Sequence, residues 1–338
     1  MKISLKLLLT ASAVALLMSG CAQKVRIKAL NPAEVGEMAS KKKVAISKFK
    51  NDTQGLSGKI ESKISSHKLD KKRYFTVISR KDLDKVIAEQ KLQSSELMDE
   101  ATATKVGKLI GAQAVINGEI SSATATTGRY VEDREKCLKY VKDQGCVRYK
   151  HYKVTCNTIQ ANVSANINIL NVETGSIIYG DSITKEYNGD SCKGPILSKG
   201  QALNRLTSAI ADEFVYKLTP HYIYFNVALL DKIELDNVTD KQKQTFKNSL
   251  EYIKAGRMNK AEKLLQGLLD DLNGKSYVVA YVYGVTKEAQ GKFDEAKKIY
   301  TMADDLTVKP VDEINAAMTR IDGLIAKREE AKMQMNAK

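Results

Sequence analysis

Cysteine is the residue type whose spacing most restricts the chemistry available to this chain. Four cysteines lie in its middle third, separated by 9, 10 and 36 positions. A structural zinc site requires closely paired cysteines, which these gaps do not provide. In an oxidising compartment four cysteines normally form two disulfides, with three connectivities open to them. The four residues are Cys137, Cys146, Cys156 and Cys192.

A fifth cysteine, Cys21, follows a secretion signal. The first six residues include two lysines and no acidic residue, residues 7–18 are apolar or weakly polar, and Ser19-Gly20 precede the cysteine. The run is too short for a transmembrane helix and predicts a cleaved signal peptide over residues 1–20.

The end of this signal resembles the bacterial lipobox, in which the cysteine thiol is lipidated and becomes the mature N-terminus. The matching segment is Leu17-Met18-Ser19-Gly20-Cys21. We therefore predict lipidation of Cys21, which anchors a protein without spanning the bilayer; an ordinary signal peptide is the alternative. Ala22, in place of Asp, resembles the sorting rule for the outer membrane, so we predict lipid anchoring there at the periplasmic face.

No pattern in the sequence indicates catalysis. It contains no G-x-S-x-G, P-loop, HExxH or GxGxxG motif, and its three histidines are far apart. The acidic pairs at 270–271 and 304–305 end predicted helices, and we interpret them as solvated. The sequence predicts a non-enzymatic protein with no cofactor and no metal.

A strand pattern chooses among the disulfide connectivities. Apolar residues alternate with Asn and Ser from 161 to 169, the period of a half-buried strand. Glu173-Thr174-Gly175 then predicts a three-residue hairpin turn with a left-handed glycine. In that register paired residue numbers sum to 348, as do Cys156 and Cys192, so we expect those two to be joined. Cys137 is then left with Cys146.

The remaining pattern up to residue 230 alternates strands with helices. Strands are predicted near 44–49, 74–79, 114–120 and 222–230, the last an edge or closing strand. Helices are predicted around Ile60, around Leu83 with Val86 and Ile87, around Val106, and over 202–214. This order is typical of an α/β layer.

Charge is distributed unevenly along the chain. Lys plus Arg number 54 against 40 Asp plus Glu, a formal net charge of +14, and almost all of the excess lies before residue 231. A basic surface suggests nucleic acid in the cytosol, but export removes that partner. The remaining candidate partners are anionic lipid headgroups, lipopolysaccharide, an acidic envelope polymer or an acidic protein. The alternative is an ordinary solvated surface with no specific ligand.

Several segments, taken in order and spacing over residues 43–230, resemble the curli production assembly/transport component (CsgG-like) family. They are Val44-Ala45-Ile46, Asn51-Asp52-Thr53, Val77-Ile78-Ser79-Arg80-Lys81-Asp82-Leu83, Ile87-Ala88-Glu89-Gln90, Gly107-Lys108-Leu109-Ile110-Gly111-Ala112, Gly118-Glu119-Ile120 and Val172-Glu173-Thr174-Gly175. The resemblance implies an anticodon-binding-domain-like α/β sandwich on a periplasmic lipoprotein. It also implies that the chain could form homo-oligomers, because the best-known members assemble into rings that form an outer-membrane pore. Other members have no pore.

The charges of the hairpin region argue against a pore. If residues 157–169 crossed a bilayer, Lys185 and Asp181 would share their lipid-facing side, and lysine at the bilayer midplane costs about 2 to 4 kcal/mol. Residues 121–156 are more densely charged still. A solvent-facing sheet is the better interpretation.

The C-terminal hundred residues contain a repeat. Residues 255–265 return 35 positions later as 290–300, close to the tetratricopeptide spacing. Gly256 and Gly291 would turn between helices, and Ala261 and Ala296 would allow close helix packing. The Trp of the full consensus is absent, and a generic pair of helical hairpins is the alternative.

The predicted organisation is therefore a linker over 21–42, a CsgG-like α/β domain with an extended hairpin over 43–230, and an all-α tetratricopeptide-like domain over 240–338. The predicted function is a non-catalytic assembly or accessory scaffold that binds other envelope proteins through its repeats. A subunit of a curli-like secretion channel is the alternative.

Overall fold

The computed structural model describes residues 23–79 and 100–337. Cys21, the predicted signal peptide and the predicted helix near Leu83, Val86 and Ile87 lie outside the described residues. The chain forms two compact units. The helical unit comprises the chain up to Pro32 together with His221–Met333, and the α/β unit comprises Ala33–Pro220 with Gln334–Lys338.

A five-stranded mixed sheet forms the centre of the α/β unit. Its strands are β2 (Lys43–Ile46), β5 (Thr76–Ile78), β6 (Ala114–Val141), β7 (Gly145–Asn171) and β8 (Ile177–Ser191), in the order β5-β2-β6-β7-β8. β2 is parallel to β5 and β6, and the pairs β6–β7 and β7–β8 are antiparallel. Two short strands, β3 (Lys68–Leu69) and β4 (Lys72–Arg73), form a separate ribbon.

The predicted hairpin register is confirmed over most of its length. β7 pairs with β8 from Asn157↔Ser191 to Ile169↔Tyr179, and the register shifts by one residue only beside the turn. Gly175 has φ +76°, the left-handed conformation predicted for it. The apolar residues 161–169 are buried in alternation with half-buried polar ones.

β6 is much longer than the predicted strand at 114–120. It continues to Val141 and pairs with β7 as far as Val141↔Gly145. The β6–β7 hairpin therefore extends well past the end of β8, and both faces of the extension are solvent-exposed.

Three α-helices of the α/β unit fall within the described residues: α1 (Leu56–Ser66), α2 (Glu100–Leu109) and α3 (Lys199–Leu218). A 3-10 helix spans Gly36–Ser40. The carboxylate of Asp52 accepts hydrogen bonds from the first amides of α1, at 2.6 and 2.9 Å, which gives the Asn51-Asp52-Thr53 segment a capping role. Near the chain's end, the Gln334 side chain exchanges hydrogen bonds of 2.7 and 3.1 Å with the backbone of Ala33.

Helix α3 covers the face of the β7–β8 hairpin that would contact lipid if the hairpin crossed a bilayer. Lys185 pairs with Glu213, and Lys217 lies 2.6 Å from the carboxylate of Asp181. Partial burial alone would raise the pKa of Asp181, but hydrogen bonds from Lys217 and Tyr179 hold it below its usual value. The charges on this face are therefore neutralised within the unit.

The helical unit contains a two-stranded sheet and five α-helices among the described residues. Strands β1 (Lys24–Asn31) and β9 (His221–Ala228) pair antiparallel from Lys24↔Ala228 to Asn31↔His221. The helices are α4 (Asp240–Lys254), α5 (Met258–Asp271), α6 (Tyr277–Ala289), α7 (Phe293–Asp305) and α8 (Asp312–Asn336). None of the described helices is both long and apolar enough to cross a membrane.

Two sequence expectations are corrected here. Residues 24–31, predicted as linker, form a strand whose alternate residues Val25, Ile27 and Ala29 are buried in the helical core. β9, predicted as an edge or closing strand of the α/β sheet, pairs with β1 instead. A pairing between strands so distant in sequence leaves no local signal to read.

The four predicted repeat residues occupy equivalent places in two helical hairpins. Gly256 and Gly291 lie between α4 and α5 and between α6 and α7, with φ +71° and +76°. Ala261 and Ala296 are fully buried. The region is thus an array of helical pairs, and its tetratricopeptide class stays a prediction.

A buried ionic centre lies inside the helical unit. The carboxylate of Glu288 is fully buried and accepts hydrogen bonds from the Arg320 guanidinium at 2.8 and 2.9 Å and from the Tyr300 hydroxyl. Its partners lie 12 and 32 residues away, so no sequence spacing indicated it. On the same helix, α6, Lys287 bridges Glu262 of α5 and Glu295 of α7.

Candidate functional site: a disulfide-braced hairpin

The most distinctive feature of the surface is the outer part of the β6–β7 hairpin, residues 129–156, here called the braced hairpin. Cys156 is joined to Cys192, with their Cα atoms 3.9 Å apart, which ties β7 to the chain just after β8. Cys137 is joined to Cys146 near the tip, with a Cα separation of 5.8 Å. Each end of the hairpin therefore carries a covalent crosslink, in the pairing expected from the strand register.

The hairpin ladder positions these crosslinks. Asp143 in the turn at 142–144 and Gly145 directly after it are left-handed, with φ +72° and +75°. Within the braced hairpin, β6 and β7 pair continuously apart from irregularities next to Cys137 and Lys139. Because a long two-stranded ribbon is only marginally stable by itself, the disulfides restrict a segment that would otherwise fray.

Polar contacts at the base add to this restriction. The Tyr130 hydroxyl donates to the Asp190 carboxylate at 2.7 Å and so links β6 to β8. This hydrogen bond raises the pKa of Tyr130 above its usual value. Glu132 pairs with Arg134 at 2.9 Å, and the hydrogen bond lowers the pKa of the Glu132 carboxyl.

Glu132 also lies beside the base disulfide, with a carboxylate oxygen 3.1 Å from Sγ of Cys192 and 3.6 Å from Sγ of Cys156. In residue type and distance this trio could hold a metal ion. Since both sulfurs are bonded to each other, they offer no thiolate, and the arrangement is a carboxylate packed against a disulfide.

Large apolar side chains are exposed on the braced hairpin. Seven of the thirteen exposed large hydrophobic residues in the described part of the chain lie on it. They are Tyr130, Val131, Leu138, Tyr140, Val147, Tyr149 and Tyr152. Eight basic and four acidic residues are interleaved with them. Exposed tyrosines with arginines on a rigid element are typical of protein-binding surfaces.

Sequence reasoning identified the cysteines but missed these tyrosines. A signal was present, because four of the fifteen tyrosines of the chain fall between residues 130 and 152. The other predicted site residues are elsewhere: Cys21 lies outside the described residues, and the four repeat residues are in the helical unit. The acidic pairs at 270–271 and 304–305 are exposed at helix ends.

The fold and this surface define a mixed α/β protein with an added helical region and a crosslinked, exposed hairpin. The chain belongs to the family described as "Curli production assembly/transport component CsgG", whose profile matches residues 27–258. The family resemblance noted in the sequence is thereby confirmed. No curated protein sequence gives a significant match.

Several solved structures are similar to this chain at low sequence identity. Lipoprotein GNA1162 from Neisseria meningitidis is 13% identical, with 51% of this chain and 97% of that chain covered and a TM-score of 0.29. The C-terminal domain of LpoB from Salmonella enterica is 14% identical, over 45% and 91%, with a TM-score of 0.26. The PelC dodecamer from Paraburkholderia phytofirmans is 9% identical, over 58% and 97%, with a TM-score of 0.23. At these TM-scores the assignment rests on the family match.

Proposed function

We propose that this chain is a non-catalytic accessory component of a bacterial envelope assembly and that the braced hairpin is its docking arm. The observation that carries the proposal is the exposure of seven large apolar side chains on a ribbon crosslinked at both ends. Apolar surface of this kind on a soluble unit normally contacts a partner. Pre-organisation by disulfides lowers the conformational entropy lost on binding.

The anchoring part of the proposal is carried by the lipobox. Cys21 would bear the lipid and Ala22 would direct the protein to the outer membrane, at its periplasmic face. The family description, which names assembly and transport, agrees with a role in the envelope.

The helical unit is proposed as a second protein-binding module. Its two helical hairpins, repeated at 35 residues, support a tetratricopeptide-like array. The family description supports a second candidate function for the whole chain, a subunit of an oligomeric secretion channel. Charges on both faces of the braced hairpin and the pairing of Lys185 and Asp181 to α3 favour the docking role.

Site-specific photocrosslinking in living cells tests the docking role. A photoreactive phenylalanine analogue replaces Tyr149, or, as the matched control, Tyr216 on α3, since the two side chains are 51% and 52% exposed. We expect a discrete adduct from position 149 and none from position 216. An adduct of twice the protein's own mass would identify the partner as a second copy.

Crosslinking at position 216 without crosslinking at position 149 would refute the docking role of the hairpin. Steady single-channel currents from the purified protein in planar bilayers, together with rings seen by microscopy, would promote the secretion channel instead.

A further inference from the structure

One face of the β1–β9 sheet is basic and aromatic, and its first strand begins three residues after the predicted lipidation site in the sequence. Val25, Ile27 and Ala29 of β1 are buried in the helical core, so the alternate side chains point outward. The outward residues are Lys24, Arg26 and Lys28 of β1 with Tyr222 and Tyr224 of β9, here called the basic face.

Each of two cations is held over a tyrosine ring across the strand pair. The guanidinium carbon of Arg26 lies 4.3 Å from the Tyr224 ring centroid, and the ammonium of Lys28 lies 3.6 Å from that of Tyr222. Both contacts join residues that are diagonal neighbours in the register. Within the described residues no carboxylate forms an ion pair with Lys24, Arg26 or Lys28.

The distance to the anchor limits what this face can meet. Cys21 and Lys24 are three residues apart, so a fully extended chain places them within about 10 Å of each other. This is roughly the Debye length at physiological ionic strength. If Cys21 carries the lipid, Lys24 stays within the electrostatic field of the leaflet that holds it, and Arg26 and Lys28 reach the same surface when β1 lies along it.

We propose that the basic face binds the phosphate groups of anionic lipids in the leaflet that holds the lipid anchor. Lys24 and Lys28 are four residues apart, about 13 Å along the strand, so the three cations reach more than one headgroup. Tyrosine rings suit the headgroup level, where an apolar ring and a polar hydroxyl are both accommodated. The inference rests on the proposed lipidation of Cys21, which brings the face to the membrane.

Vesicle binding by a chain without its lipid tests the inference separately from anchoring. The mature chain with Cys21→Ser is titrated with vesicles of phosphatidylcholine alone and of phosphatidylcholine with phosphatidylglycerol. Binding is expected only to the anionic vesicles. Each cation near such a surface contributes roughly fivefold in affinity, so Lys24→Thr with Arg26→Thr and Lys28→Thr should weaken binding roughly 100-fold.

A matched control removes the same charge elsewhere. Lys68→Thr with Lys72→Thr and Arg73→Thr also deletes two lysines and one arginine from exposed strand positions, and should weaken binding only a few-fold through the lost net charge. Lys24→Arg with Lys28→Arg should keep the affinity. Circular dichroism checks that every variant folds.

Three results would overturn the proposal. They are equal weakening by the two triple variants, equal binding to neutral vesicles, and tight binding of soluble polyglutamate without vesicle binding, which would assign the face to an acidic polymer. None of these bears on whether Cys21 is lipidated, which is measured by fractionation.

Discussion

Replacing Arg320 with methionine should destabilise the helical unit by about 3 kcal/mol. The Glu288 carboxylate is fully buried, and the guanidinium supplies two of its hydrogen bonds, at 2.8 and 2.9 Å. Removing one partner of such a pair costs about 3 to 5 kcal/mol, because the remaining charge stays buried. We expect the lower end, since the Arg320 side chain keeps 22% exposure and water can reach the vacated position.

The same helix provides a control. Arg328 lies 2.7 Å from Asp294 and 2.9 Å from Glu329, whose side chains are 65% and 50% exposed. Its removal leaves no carboxylate buried, and pairs with exposed carboxylates contribute about 1 kcal/mol or less. Arg328→Met should therefore have a small effect. In a Tyr300→Phe background, which removes the buried hydroxyl that donates to Glu288, Glu288→Leu with Arg320→Met removes both charges. It should return the stability to within about 1 kcal/mol of that background, because replacing a whole buried pair is often nearly neutral.

Urea titration followed by circular dichroism at the helical wavelength measures these differences as a double-mutant cycle. The reasoning would be refuted by equal losses in Arg320→Met and Arg328→Met. It would also be refuted if, in the Tyr300→Phe background, the double variant were no more stable than Arg320→Met alone.

Further expectations concern the anchor, the hairpin tip, acid stability and the repeat contacts. Cys21→Ser should move the protein from washed outer membranes to the soluble periplasm, and its persistence in the membranes would contradict lipid anchoring. Cys137→Ser with Cys146→Ser should speed amide hydrogen exchange at the hairpin tip only, and faster exchange in α3 would count against a local brace. Burial alone would raise the pKa of Glu262, but Lys287 and other donors lower it to about 2. The ionised carboxylate therefore stabilises the folded state fully above about pH 4.5, and this contribution, about 1 to 2 kcal/mol after solvent screening, is lost as the pH falls toward 2. Glu262→Gln should flatten the plot of unfolding free energy against pH over that range. Ala296→Asp buries a charge in a helix contact and should unfold the helical unit, and a native circular dichroism spectrum would show that the site accommodates it.

The elements that sequence predicted well are those with a local signal. The alternation at 161–169 and the Glu173-Thr174-Gly175 turn predicted the β7–β8 register, because a buried face and a left-handed glycine leave little freedom. The glycines repeated at 256 and 291 predicted the two turns between helices, because a left-handed glycine again leaves little freedom.

The features that could not be predicted from the sequence either join residues far apart along the chain or lie on surfaces exposed to solvent. The outer half of β6 is exposed on both faces, so it lacks the apolar alternation by which strands are recognised. The β1–β9 pair and the Glu288–Arg320 pair join residues far apart along the chain, and no periodicity reports such contacts. The cluster of tyrosines is visible in the sequence, but only the structure shows that their side chains are exposed.

The pairing of Asn31 with His221 bears on the order in which the chain folds. Closing that loop of roughly 190 residues from an unfolded chain is entropically expensive, and shortening it to a few residues saves about 3 kcal/mol. The α/β unit supplies the shortening, because the amide of Val35 donates to the carbonyl of Lys217 at 3.1 Å and so brings its own two ends together. Once that unit has folded, β1 and β9 meet as if joined by a short turn. We therefore expect the core of the helical unit, to which β1 contributes, to form after the α/β unit has folded.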